Sequence, residues 1–86
     1  KSGKYDVVYI ATGKSNTNLI TISKNSFAGK SGNSICGIYL ASGRCDITDN
    51  TFTSLGTGIY VVKKTSTYSI SSNKFSGVEE KKVIEK

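Results

Sequence analysis

The chain has 86 residues and a net charge of +6, with two Cys, no His and no Pro. That length allows one domain with a modest core, and two cysteines are too few for a disulfide scaffold. The missing histidine removes the commonest general base and the commonest metal ligand. Behind Lys1-Ser2-Gly3-Lys4 there is no apolar run long enough for a signal peptide, and no later run spans a membrane. A basic balance favours acidic partners such as nucleic acid, anionic lipid or acidic polysaccharide. The plainer reading is solvated lysines that keep a β-rich surface soluble and blunt its edges.

In chain order, Tyr5-Asp6-Val7-Val8-Tyr9-Ile10 predicts a strand, and residues 11–18 form a polar Gly/Ser/Asn/Thr loop. Ile20-Thr21-Ile22-Ser23-Lys24-Asn25-Ser26-Phe27 follows, with Ile20 and Ile22 on one face and Thr21 on the other. After a loop over 28–34, Cys36-Gly37-Ile38-Tyr39-Leu40 predicts a second strand of the Tyr9 type. Cys45-Asp46-Ile47-Thr48-Asp49-Asn50-Thr51-Phe52 then repeats the Ile-x-Ile-x-x-Asn-x-Phe pattern. The pair recurs once more, as Gly58-Ile59-Tyr60-Val61 and as Tyr68-Ser69-Ile70-Ser71-Ser72-Asn73-Lys74-Phe75. Lys82-Val83-Ile84-Glu85 falls where a fourth copy belongs. Glu79-Glu80-Lys81-Lys82 alone admits a helical turn, but Val83-Ile84 suits the strand register better.

The asparagines are spaced by 25 and then 23 residues, as are the phenylalanines. A fixed period in this range marks a solenoid or array. Zero proline leaves every residue an N–H for the ladders. Asparagine tolerates the left-handed backbone that a sharp bend needs, so Asn25, Asn50 and Asn73 are expected at the bend. Stacked at about 4.8 Å, their amides can hydrogen-bond along the column, and Phe27, Phe52 and Phe75 are expected to stack inside. A leucine-rich repeat is the rival, since Ile-x-Ile-x-x-Asn matches part of its consensus. It wants an apolar residue where this chain has Thr17, Ser42 and Thr65, and a helical convex side where this chain has Gly-Ile-Tyr-Leu.

Strand, bend at Asn, strand, loop, strand resembles the right-handed parallel β-helix, the pectate-lyase-like family that includes phage tailspikes and polysaccharide-modifying enzymes. The resemblance covers almost the whole chain and implies an all-β fold. It would be a right-handed parallel β-helix, a solenoid of three to four coils with an Asn stack and a Phe stack. Residues 1–86 would form a single module, read as a segment of a larger protein. Two open ends then predict continuation into more chain, capping, or self-association such as a homotrimer. The family likeness implies an extracellular or virion-surface setting, a tailspike, tail fibre or surface protein contacting bacterial polysaccharide. The alternative is a fragment of a polysaccharide lyase or glycoside hydrolase whose catalytic residues lie elsewhere.

Alternation turns Tyr9, Tyr39 and Tyr60 outward as a stripe on the first-strand sheet, where that family commonly binds saccharides. Tyrosine, apolar in body with a polar tip, suits a sugar ring. An interface or a purely stabilising column is the competing use, and the favoured one. Lys30 and Asn33 in the longest loop, and Lys63 and Lys64 after Tyr60, would add a basic margin suited to an acidic glycan.

No catalytic constellation emerges. A glycosidase needs two carboxyls about 5–9.5 Å apart across the bond. The acids are Asp6, Asp46, Asp49, Glu79, Glu80 and Glu85, and Arg44 stands alone. A surface ion pair with Lys24, one repeat away, is the expected role of Asp49. Cys36 and Cys45 read as buried free thiols on different strands with a turn between them, Leu40 neighbouring Cys45. No metal or other cofactor is expected. A nucleic-acid partner ranks last, because the tyrosines have no interleaved arginines.

Overall fold

The computed structural model describes residues 5–13, 15, 17–29, 35–78 and 81–86, with Tyr5, Lys81 and Lys82 described in backbone only. Lys30, Asn33, Glu79 and Glu80 lie outside the described residues, so the loop over 30–34 and the possible helical turn at 79–80 do too.

The fold is all-β with parallel sheets. Among the described residues the strands run β1 Tyr5–Ala11, β2 Leu19–Ser23, β3 Ser26–Ala28, β4 Ile35–Thr48, β5 Thr51–Thr53, β6 Thr57–Val61, β7 Ser66–Ser71, β8 Lys74–Ser76 and β9 Lys81–Glu85. A 3-10 turn, Lys63–Thr65, joins β6 to β7. Three parallel ladders result. The first runs β1-β4-β6-β9, the second places β2 and β7 on either side of the second half of β4, and the third runs β3-β5-β8.

Register follows the sequence repeat. Val8, Ile38, Ile59 and Val83 form one column, and Ile22, Ile47 and Ile70 another. Each strand therefore meets its own counterpart from the next repeat, so like side chains stack on like. The core lies between the ladders: Ile38, Leu40, Cys45, Ile47, Phe52, Ile59 and Val61 are fully buried. Phe52 is sandwiched, with ring centroids 4.9 Å from Phe27 and 5.0 Å from Phe75, at interplanar angles of 7° and 11°.

The asparagines form an amide ladder. Asn25 donates its main-chain N–H to Asn50 Oδ1 at 3.0 Å, and Asn50 donates its own to Asn73 Oδ1 at 2.9 Å. The side-chain amides reach one repeat back, Asn50 Nδ2 to the Ile22 carbonyl at 2.9 Å and Asn73 Nδ2 to the Ile47 carbonyl at 3.0 Å. The left-handed backbone, however, does not belong to the asparagines. It belongs to the residue before each one: Lys24 (φ 58°), Asp49 (φ 57°) and Ser72 (φ 58°). The bend needs a positive φ one position earlier, which leaves the asparagine free to place its amide in the column.

Three further expectations are corrected. No turn separates Cys36 from Cys45, because β4 runs unbroken through both. The chain changes direction at a register shift beside Leu40 and at Gly43 (φ 110°), where a Cβ would collide with the Thr12 hydroxyl. The shift leaves the Ala41 carbonyl outside the regular ladder, and Thr65 Oγ1 caps it at 2.5 Å. The ladder neighbours of Cys45 are Ile20 and Tyr68 rather than Leu40. Among the described residues, no ion pair joins Lys24 to Asp49; both sit at exposed bends.

Candidate functional site

Parallel register brings Tyr9, Tyr39 and Tyr60 into one column on the outer side of the first ladder. The rings stack almost flat, Tyr9 on Tyr39 at 5.3 Å and 13°, and Tyr39 on Tyr60 at 4.8 Å and 3°. That spacing is the strand separation itself, so each ring covers its neighbour's face. Tyr9 is 55% exposed, Tyr60 is half-buried, and Tyr39 is only 8% exposed. The expected exposed stripe is thus open at Tyr9 and along its ring edges, while both faces of Tyr39 are taken. Burial, the neighbouring Tyr60 and Tyr9, and then Asp6 and Cys36 push the Tyr39 phenol above its usual range.

Lys63 and Lys64 are exposed and occupy the 3-10 turn that follows β6, directly after the Tyr60 strand. They follow Tyr60 by three and four residues in the chain. Asn25, Asn50, Asn73 and the three phenylalanines hold the wall together on the other two ladders. Their hydrogen-bonding groups and ring faces are largely turned on one another.

Cys36 and Cys45 are free thiols, both fully buried. Cys36 directs its thiol to the Ile38 carbonyl at 3.3 Å. Burial, with Asp46 adding to it, pushes the Cys45 thiol up to about 11. A thiol held neutral in this way is a poor nucleophile and a poor metal ligand at neutral pH. Among the described residues there is no group of three or more His, Cys, Asp or Glu placed to share a metal ion. The described acids are dispersed: Asp6 on β1, Asp46 on the second ladder, Asp49 at a bend, and Glu85 on β9. No described helix is long and apolar enough to cross a membrane.

Sequence reasoning missed one polar contact. Tyr68 Oη donates to Glu85 Oε2 at 2.6 Å, and this bond, with burial and the Glu85 charge, raises the Tyr68 phenol. Tyr68 takes the place in its column that Ile20 and Cys45 hold in the earlier repeats. Glu85 takes the place of Ile10, Leu40 and Val61. Two polar residues at inward columns, both in the last repeats, were the available signal. Compared with protein-family models, curated proteins and solved structures, the chain gives no match.

Proposed function

We propose that the chain is a right-handed parallel β-helix module, akin to the pectate-lyase-like family, which serves as a structural and recognition element. Its partner is polysaccharide, in the setting of a tailspike, tail fibre or other surface protein. The observation that carries this reading is the continuous Tyr9–Tyr39–Tyr60 column, stacked at 5.3 and 4.8 Å on one outer face, with Lys63 and Lys64 exposed in the turn that follows the Tyr60 strand. A column of this kind first stiffens the ladder that bears it. What it leaves for a ligand is the outer face of Tyr9, the ring edges and the hydroxyls, together with two ammonium groups. That combination suits a hydroxylated, acidic chain lying along the face, with sugar stacking confined to Tyr9 and hydrogen bonding to the edges.

The test is binding of acidic and neutral polysaccharides by Tyr9→Ala, Tyr60→Ala and the double variant Lys63→Ala/Lys64→Ala. Tyr39→Ala is unsuited to this use, because the ring is sandwiched and its loss perturbs the ladder. Weakening by about fivefold or more, roughly 1 kcal/mol, is expected for Tyr9→Ala and for the lysine pair on an acidic glycan. Unchanged binding in all three removes this face from the reading.

A further inference from the structure

The two ends of the stack are chemically different. At the end formed by the first repeat, β1, β2 and β3 each pair on one side only among the described residues. Between them opens a cavity of about 380 Å³ whose walls include Val8, Ile10, Ile20, Ile22 and Phe27. These are the inward columns of the fold, and in the second repeat their counterparts Ile38, Leu40, Cys45, Ile47 and Phe52 are fully covered. Among the described residues, the exposed large apolar side chains are Val7, Tyr9 and Leu19, all in this first repeat. At the other end β9 lies over β6, and the corresponding inward positions carry the hydrogen-bonded Tyr68–Glu85 pair.

The amide ladder states what the first end lacks. Asn50 and Asn73 each send Nδ2 to an isoleucine carbonyl one repeat back and accept an asparagine N–H from that same repeat. Among the described residues nothing is stacked behind Asn25, and its Nδ2 folds onto the Ser23 carbonyl at 3.0 Å instead. A fitting occupant therefore supplies a main-chain carbonyl, a main-chain N–H three residues on, and a ring to extend the Phe column beyond Phe27. Those are the groups of the chain's own repeat.

We infer that the first-repeat end is a docking surface for one further parallel segment of the pattern Ile-x-Ile-x-x-Asn-x-Phe, added by strand pairing to β2 and β3. This goes beyond saccharide recognition and uses none of the tyrosine column. The segment adds main-chain bonds for affinity and side-chain columns for register. A second complete copy fits less well. Its first repeat would bring β1 to the level that β9 already occupies when its β2 and β3 sit on β7 and β8.

The experiment titrates a labelled peptide with the sequence of residues 19–28 into the whole chain, read by fluorescence anisotropy, with hydrogen exchange locating the site. Saturable binding is expected, with new protection over Leu19–Ala28. It should weaken about tenfold in Asn25→Ala protein, which loses the side chain that would bond the peptide's main-chain carbonyl and N–H. A peptide with alanine in place of its phenylalanine should also bind more weakly. A peptide with alanine in place of its asparagine, and Tyr9→Ala in the protein, should leave binding unchanged. No binding up to about 1 mM, a threshold near 4 kcal/mol, overturns the inference. So does protection at Ser66–Ser76 in place of β2 and β3, or concentration-dependent growth of the chain alone with both ends protected.

Discussion

Asn50→Ala removes the centre of the amide ladder, and its cost can be worked from the bonds it breaks. Asn50 is 1% exposed. Its side chain accepts the Asn25 N–H at 3.0 Å, and its Nδ2 donates to the Ile22 carbonyl at 2.9 Å and to Asn73 Oδ1 at 3.1 Å. Alanine leaves the Ile22 carbonyl and the Asn25 N–H without these partners, while Asn73 Oδ1 keeps the Asn50 main-chain N–H at 2.9 Å. Each orphaned buried group costs about 1–3 kcal/mol. Asn25 is exposed, so water recovers part of its share, and a total of about 3 kcal/mol is expected. A chain of this size has roughly 4–13 kcal/mol of stability, so the loss is a large fraction of the whole. Urea denaturation followed by far-UV circular dichroism should show the midpoint falling by about 1–3 M at unchanged slope. Asn25→Ala is the internal control: among the described residues its exposed amide bonds only the Ser23 carbonyl, and its loss should cost less than about 1 kcal/mol. Equal costs for Asn25→Ala and Asn50→Ala would refute the reasoning, since the ladder then contributes nothing that position along the stack can change.

Phe52→Ala empties the middle of the aromatic stack at a fully buried site and should cost about 3–5 kcal/mol, with Phe75→Ala, at the half-buried end, costing visibly less. Gly37→Ala brings a Cβ to 2.6 Å from the Gly58 carbonyl oxygen and to 2.9 and 3.0 Å from the Phe52 ring, so about 1–3 kcal/mol should be lost in the same titration. The Cys45 thiol is raised by burial from 9.0 to about 11, so folding favours its neutral form. That contribution is complete below pH 9 and is lost as pH rises from there through 11, with a slope of up to about 1.4 kcal/mol per pH unit. The raised phenols of Tyr39 and Tyr68 act in the same direction above pH 10. Replacing Cys45 by Ala should flatten the lower part of this slope, and an unaltered slope would assign the alkaline loss to other groups.

Much of the first-order geometry was legible because the strands pair in parallel and in register. A residue's vertical neighbour is then its counterpart one period along the chain, so the spacings of 25 and 23 name the columns Asn25–Asn50–Asn73 and Phe27–Phe52–Phe75 directly. The bend was legible only to within one residue. Asparagine and the position before it both occur in every repeat, and propensity alone favours asparagine for positive φ. Lys24, Asp49 and Ser72 adopt it because the ladder recruits the asparagine side chains, a demand visible only when the repeats are stacked. The break expected between Cys36 and Cys45 failed for a related reason. Ala41-Ser42-Gly43 reads as a turn, yet Ser42 pairs with Ala11 and Gly43 with Ser66, so the irregularity at Gly43 (φ 110°) is absorbed within one strand.

The sequence by itself determined which side chains share a column and which face of each strand is apolar, since both follow from period and alternation. Tertiary structure alone decided how much of each column is covered. Tyr9, Tyr39 and Tyr60 occupy equivalent positions, yet their exposure runs from 55% to 8% according to whether a ring lies on one face or on both. Ile20, Cys45 and Tyr68 are likewise equivalent in pattern, and only stacking reveals that the last bonds Glu85 while the first borders an open cavity. Burial is set by neighbours one repeat away, so a local pattern repeated three times cannot say which copy stands at an end.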